Sequence, residues 1–522
     1  MRSSHRLALV ALLLIATTLR ALNLTGESLW RDEIDIIRFA LGPSQEILTS
    51  FTRTGFNGPF YIVLIRLWLS LGGVNDFTLR YFSLLCGVAV VAVVFVLAKR
   101  LFGVRAAFVA AWLMAISPVH IWYSGEGKMY TLQPLLLATA LYALVRVIGD
   151  WGLGIKRLQS PITYPQSPIP HWWILFAVAT TLAFYTHVLS PIFLIVAVAV
   201  FLIHWPQAKA HLKGALVALA CLTLPYLPLL LWQAPALLRG GDTGHAFFSL
   251  DRMALVLLSD WSYGFGTNAP LFFMLQPSWV RTGCVVLFVI FAALGFIRSL
   301  LIAHRSALTA LAWLILPVLA VFAISLRAPV FEPRYLLWCA PALYVLIGAG
   351  TQGLGIRDWG LRQITCLALL TAISLLGLAA QIPQPIRPDL RGGAAFIASQ
   401  YQPDDLLVFQ IPYNKFGFEY YFTRHSPLAT RHFIEAPYTN YGMSQAEVAA
   451  ELRRQLPPNR RVWLIETESG MWDARGLVRQ WVDESLPLIE RRSFNGVTLS
   501  LHQPERTLNY STYLPWVQQV SP

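Results

Sequence analysis

The chain has 522 residues, of which 56% are hydrophobic and 13% charged, and its net charge is +13. A soluble domain carries about 25% charged residues, so the composition excludes an ordinary soluble globule. From Pro385 onward basic and acidic residues balance at 14 each, so the whole positive excess lies in the apolar part, which excludes a nucleic-acid binder with its basic residues clustered on a soluble face. In chain order, the basic start and the apolar run Leu7–Leu22 come first. They are followed by Asn23, Leu24 and Thr25 rather than a small-residue cleavage site, so an uncleaved first span is predicted. The five cysteines (Cys86, Cys221, Cys284, Cys339, Cys366) fall in apolar stretches with no CxxC or Cys/His spacing, and read as small core hydrophobes.

Further apolar runs of spanning length follow near 78–98, 104–121, 129–148, 171–186, 188–205, 212–232, 281–303, 307–326, 335–352 and 362–381. The run Phe60–Leu71 is too short to cross a bilayer and contains Arg66, so it reads as a helix lying at the interface. With that choice, Arg2 and Arg6, Lys99–Arg105, Arg146–Arg157, Lys209 and Lys213, Arg298 and Arg305, and Arg357 and Arg362 all share one side, which the positive-inside rule makes cytoplasmic. The fold class expected is an α-helical polytopic membrane protein of about eleven transmembrane helices with juxtamembrane helices on its outer face. The first domain, 1–384, includes the outer loop 25–77, and residues 385–522 form a non-cytoplasmic soluble α/β domain. There, Leu406–Gln410, Val462–Glu466 and Val497–His502 read as strands. Gln445–Leu456 and Ala474–Ser485 read as helices, the former with a capping box from Ser444 to Glu447.

Two acidic stretches stand on the outer side of this topology: Ser28-Leu29-Trp30-Arg31-Asp32-Glu33 after the first span, and Trp122-Tyr123-Ser124-Gly125-Glu126-Gly127-Lys128-Met129-Tyr130 after the third. Adjacent carboxylates near a membrane interface lose solvation energy, which Arg31 offsets only in part. Each residue also has a plainer reading. Asp32 and Glu33 suit a solvated loop, and Glu126 suits the N-terminus of the span beginning near Met129. Lys128 can extend to lipid headgroups, Arg334 can anchor at the interface beside Tyr335, and His187 can hydrogen-bond between helices.

The order of Leu-Trp-Arg-Asp-Glu, Gly-Pro-Phe-Tyr, Leu-Arg-Tyr-Phe-Ser, Arg-Leu-Phe-Gly and Tyr-Ser-Gly-Glu-Gly-Lys-Met-Tyr resembles the C-type integral-membrane glycosyltransferases. The resemblance is to the bacterial branch akin to protein O-mannosyltransferases and the aminoarabinose transferase of lipid A. It is specific over residues 6–150, weaker over 170–350 where Tyr185-Thr186-His187 and Pro333-Arg334-Tyr335-Leu336 also fit, and generic beyond. It implies transfer of a sugar from a polyprenyl-phosphate carrier to a protein, lipid or glycan acceptor on the outer face of the inner or plasma membrane. Asp32 is implied as general base of an inverting displacement, with Glu33 and Glu126 completing the catalytic set. Lys128 and Arg334 are implied for the carrier phosphate, and Arg31, Tyr335, His187 and Asn57 for other substrate contacts. No cofactor or metal ligand is assigned, and a divalent metal stays open. Asn57-Gly58-Pro59 stands where the family often has His-Pro-Pro, and Gly125-Glu126-Gly127-Lys128 where it often has Gln-Glu-Ala-Arg. A lysine there keeps the charge and loses the guanidinium fork. The rival reading is a transporter or flippase of lipid-linked sugars, against which stand the lack of an internal repeat and the interfacial place of the acids.

Overall fold

The computed structural model describes residues 3–51, 57–149, 170–222, 226–227, 245–264, 278–350, 361–381, 385–425, 432–457 and 459–503. The chain forms two compact units: 1–26 with 35–384, and 27–34 with 385–522. The sequence reading placed 27–34 in the membrane part. Its backbone and side chains bind instead to the residues that open the C-terminal unit.

The first unit is built of helices. They are α1 (Ser3–Ala21), α2 (Arg31–Leu41, its first turn grouped with the other unit), α3 (Ser44–Phe51), α4 (Phe60–Gly72), α5 (Asp76–Phe102), α6 (Val104–Ile116), α7 (Pro118–Ser124), α8 (Leu132–Ile148), α9 (Pro170–Phe184) and α10 (Phe193–Ile203). After these come α11 (Leu250–Ser262), α12 (Ser278–Ser325), α13 (Ala340–Ala349) and α14 (Leu361–Gln381). Among the described residues, four helices are long and apolar enough to cross a membrane, or six if two bent pairs each count as one span. Their outer faces are apolar too: Leu7, Leu14, Leu294, Ile297 and Leu301 are exposed, as lipid contact requires.

Local sequence explains the ends and breaks. Helix α5 starts where the Asn75 side chain accepts the Thr78 N–H at 2.8 Å and stops at Gly103, whose φ of +87° no L side chain adopts easily, with Lys99 and Arg100 in the last turn. The 47 helical residues of Trp279–Ser325 would reach roughly 70 Å, more than two bilayer cores. Their helix breaks at Ala303 (φ −147°, ψ 56°), where the sequence pattern placed a cytoplasmic turn between two runs. Helix α4 has 13 residues, about 20 Å, which is short of the ~30 Å hydrocarbon core. Its Arg66 donates to the carbonyls of Ala40 and Gly42 and to Ser44 Oγ, so the charge that argued against a span caps the end of α2.

Glycine sets the spacing where helices cross. A Cβ on Gly295 would stand 1.9 Å from the Leu346 carbonyl, and one on Gly348 would stand 2.5 Å from that of Ala106, so α12, α13 and α6 meet backbone to backbone.

The bend between α6 and α7, 60°, has a chemical cause. Pro118 has no N–H for the Met114 carbonyl four residues back, and the break frees the Ala115 carbonyl as well. Arg20, 1% exposed at the end of α1, donates to Met114 O (3.1 Å), Ala115 O (2.9 Å), Ala16 O (3.2 Å) and Ser124 Oγ (3.1 Å). Ser124 in turn donates to His120 O at 2.6 Å.

The second unit has one sheet in the order β2-β1-β3-β5-β4, comprising β1 (Leu406–Phe409), β2 (His432–Glu435), β3 (Val462–Thr467), β4 (Leu488–Phe494) and β5 (Val497–His502). The first three strands are parallel and the last two antiparallel. Every residue of β1 and β3 is buried, as both faces are covered. On one face Leu406, Val408, Val462 and Leu464 pack against Val448, Leu452, Val478 and Val482 of α17 (Gln445–Gln455) and α18 (Leu477–Ser485). On the other, Phe396 of α15 (Leu390–Gln400) meets Trp463 edge-on at 6.0 Å, and Phe418 of α16 (Asn414–His425) meets Phe409 at 5.5 Å. The Ser444–Glu447 capping box is present, and both Asp473 oxygens accept backbone N–H groups of α18, from Leu477 and Val478.

Replacing Arg20 by Met keeps an apolar stem and strands the two freed carbonyls. A loss of about 2–4 kcal/mol is expected, seen as a lower Tm of the detergent-solubilised protein. The same change at the exposed Arg6 should cost less than about 0.5 kcal/mol, and an equal fall in both variants would deny Arg20 this role.

Candidate functional site

Within the helical unit, the turn after α7, the turn after α9 and the 3-10 helix Pro333–Cys339 bring several of the expected residues together. Arg334 lies over the rings of Tyr130 (5.4 Å) and Tyr335 (5.8 Å). Glu332 is its ion partner at 3.9 Å, beyond hydrogen-bond length, and its buried Nε has no hydrogen-bond acceptor among the described residues. His187 is fully buried, 4.8 Å from the Tyr335 ring and 6.4 Å from that of Tyr130. Its Nδ1 accepts the Leu189 N–H at 3.2 Å, while Nε2 has no partner among the described residues. Glu126 is 2% exposed and within electrostatic reach of Arg334 and Tyr123. Lys128, half-buried, follows in the same turn, whose backbone is fixed by Lys128 N–H donating to Glu126 O (2.7 Å) and Ser83 Oγ donating to Lys128 O (3.2 Å).

Asn57 acts on the backbone rather than through an open side chain. Its Oδ1 accepts the Val188 N–H at 3.2 Å, and the Phe60 N–H donates to Tyr185 O at 3.0 Å. A Cβ on Gly58 would stand 2.0 Å from that same carbonyl, so only glycine lets the Asn57–Pro59 turn dock against the turn that carries His187. Tyr123, Tyr130, His245 and Glu332 were not singled out by the sequence reading. His245 Nδ1 lies 3.3 Å from Glu332 Oε1, and its ring meets Tyr335 edge-on at 6.2 Å. The two tyrosines lie inside the quoted Trp122–Tyr130 motif, whereas nothing local in the sequence marks His245 or Glu332.

Arg31, Asp32 and Glu33 belong to the other unit. Their segment is clipped to residues around the start of α15. Glu27 Oε1 accepts the N–H groups of Ile386 (2.6 Å) and Arg387 (3.3 Å). Ser28 Oγ donates to Asp389 Oδ1 (3.0 Å) and accepts from Arg391 N–H (3.0 Å). The Leu29 N–H donates to Tyr421 Oη at 2.6 Å. Glu33 is fully buried and engaged locally: its Oε2 accepts the Trp30 N–H at 3.3 Å and faces Arg387 at 3.8 Å. Asp32 keeps 20% of its side chain exposed, with Arg31 Nε at 3.5 Å, and the Arg31 guanidinium lies 4.8 Å over the Tyr413 ring. Of the two adjacent carboxylates, Asp32 is the more exposed. Among the described residues, no group of three or more His, Cys, Asp or Glu could hold a metal ion.

Residues 57–153 match the family model described as dolichyl-phosphate-mannose-protein mannosyltransferase. No curated protein matches the sequence. Among solved structures, the chain is similar to ArnT from Cupriavidus metallidurans bound to undecaprenyl phosphate, with a TM-score of 0.59 and 14% identity over 96% of this chain and 98% of that one. It is also similar to the Archaeoglobus fulgidus oligosaccharyltransferase, with a TM-score of 0.57 and 14% identity over 98% of this chain and 76% of that one. The latter protein, AglB, has also been solved with an inhibitory peptide and a dolichol-phosphate. The resemblance read from the order of motifs is thus met by a family model over one segment and by the fold over nearly the whole chain.

Proposed function

We propose that this protein is a membrane glycosyltransferase that moves a sugar from a polyprenyl-phosphate carrier to an acceptor hydroxyl. The observation that carries the reading is Arg334: a guanidinium on two tyrosine faces with 23% of its side chain exposed, whose buried Nε finds no hydrogen-bond acceptor among the described residues. Desolvated cations of this kind bind phosphate well, and arginine does so through two parallel N–H groups. The match to a mannosyltransferase family model and the lipid phosphates bound by ArnT and AglB support the same substrate class. The transporter alternative draws no support from these comparisons.

The reaction follows from the groups available. An acceptor hydroxyl attacks the anomeric carbon from the face opposite the phosphate, and its proton passes to Asp32. The C–O bond to the phosphate breaks with its electron pair on oxygen, and polyprenyl phosphate leaves with its charge held by Arg334, assisted by Lys128. Because a phosphate leaves readily, the second acid that inverting hydrolases need is dispensable here. Glu126 and His187 line the donor side, and Tyr335 sets the plane of Arg334. Glu33 and Arg387 fix the turn that presents Asp32.

The reading keeps the eleven spans expected from the apolar runs, among them α1, α5, the bent α6–α7, the two halves of α12 divided at Ala303, and α14. With basic loops inside, the C-terminal unit faces the periplasm or exterior. A cysteine replacing the exposed Tyr441, in a protein lacking the five native cysteines, should react with an impermeant thiol reagent in intact cells. One replacing Arg305 should react only after lysis, and the reverse pattern would invert the topology.

Asp32→Asn should lower turnover by roughly 10²–10⁴-fold with little change in donor affinity. Transfer at the parent rate in purified membranes would remove Asp32 as the base. Arg334→Gln should weaken binding of undecaprenyl phosphate by about 1.5–3 kcal/mol, with Arg334→Lys falling between it and the parent. An unaltered titration for Arg334→Gln would end the phosphate assignment.

A further inference from the structure

The C-terminal unit contains a cavity of about 540 Å³ between the carboxyl end of the parallel strand β3 and the β4–β5 turn, lined in part by Glu466, Thr467, Glu468, Arg479, Phe494 and Thr498. That is the edge at which open α/β sheets bind ligands, and the volume is that of a small-molecule site. Glu466 is 7% exposed, and its buried Oε2 has no hydrogen-bond donor among the described residues; the nearest cation, Arg479 Nε, is 3.7 Å away. Burial holds this carboxyl above the usual carboxylate range, against the opposing pull of Arg479 and Arg491. The wall itself carries acceptors for a ligand hydroxyl in Glu466 and Glu468, with the Thr467 and Thr498 residues beside them.

Aromatic rings flank the same edge. Trp472 directly follows the pocket residue Met471 and meets Tyr438 at 4.7 Å and Tyr413 at 6.0 Å, and Tyr441, 4.7 Å from Tyr438, is 92% exposed. The Tyr413 ring also carries Arg31, so the segment bearing Asp32 reaches this edge of the same unit. Carboxylates for hydroxyl groups beside aromatic faces for C–H groups are the complement of a sugar. Two acidic residues against one arginine in the lining disfavour an anion, and an apolar chain would leave the polar walls unsatisfied.

We infer that this pocket binds a neutral glycan, and that the acceptor of the reaction is a sugar hydroxyl delivered from the C-terminal unit to Asp32. The inference rests on the transferase reading and names its acceptor class.

The test uses the full chain in nanodiscs, probed with two sets: unmodified oligosaccharides ending in mannose, glucose, galactose or N-acetylglucosamine, and uncharged peptides of similar mass. Binding of undecaprenyl phosphate is measured in parallel. At least one oligosaccharide should bind, and Trp472→Ala should weaken it tenfold or more. Gly470 lines the cavity, and a Cβ built on it meets nothing within 4 Å, so Gly470→Trp should plug the site without backbone strain and abolish glycan binding. Both variants should bind undecaprenyl phosphate as the parent does. A parent that binds undecaprenyl phosphate and no glycan overturns this inference alone. One that binds glycan and no undecaprenyl phosphate overturns the transferase reading on which it rests. Glycan binding untouched by Gly470→Trp would place the site elsewhere, and peptide binding abolished by it would make the occupant a polypeptide.

Discussion

The helical unit depends on how a single proline is tolerated inside a membrane. Pro118 interrupts a helix where no water can hydrate the carbonyls it frees, and in hydrocarbon each unsatisfied backbone group costs several kcal/mol. Arg20 resolves this by donating to Met114 and Ala115, the carbonyls at the break, and to Ser124 at the end of the redirected turn. The bend then has one geometry instead of many. The turn that follows carries Tyr123, Glu126, Lys128 and Tyr130 to Arg334 and His187. Arg20, at the end of the first apolar run, is thus the strut of that turn. Gly87 keeps room for it, since a Cβ there would stand 3.2 Å from Arg20 Nε and 2.1 Å from Ser124 Oγ.

The parts of the fold legible in the sequence are those where one strong local signal acts. Long apolar runs read as helices, and the Ser444–Glu447 box, the strand β5 and the break near residue 303 lie where their patterns put them. Strands β1 and β3 end within a residue of their apolar runs because burial on both faces leaves nothing polar to blur them. What escaped detection has weak or conflicting local signals. Strand β4, with Glu490, Arg491 and Arg492 in seven largely exposed residues, is a charged edge, which discourages pairing with other chains and also hides the strand from a hydrophobic pattern. Strand β2 has only four residues. Helix α16 packs Phe416, Phe418, Tyr420, Tyr421 and Phe422 around Gly417, a composition that suits a strand until tertiary packing decides otherwise.

The candidate site was legible to a similar degree and for a similar reason. Glu126, Lys128, Arg334 and Tyr335 lie in motifs whose order carries information, whereas His245 and Glu332 reach the cluster only through the fold. The two carboxylates of Asp32-Glu33 look equivalent as letters. They differ because Glu33 points to its own helix start and to Arg387, and Asp32 does not share that burial. Chain neighbours are divided by helical geometry, which sends side chains one residue apart in different directions.

The clip that holds Glu27–Ile34 joins groups far apart in the chain: Ser28 and Asp389 are separated by 361 residues, and Leu29 and Tyr421 by 392. Ribosomes add roughly 5–20 residues per second, so the segment 27–34 waits on the order of 20–70 s between its own synthesis and that of its partners. During that interval no prematurely ended chain can fix the turn bearing Asp32, because its anchors at Ile386, Arg387 and Asp389 do not yet exist. Completion of translation is thereby built into the timing of the site: a truncated product can insert into the bilayer and still lack an ordered carboxylate.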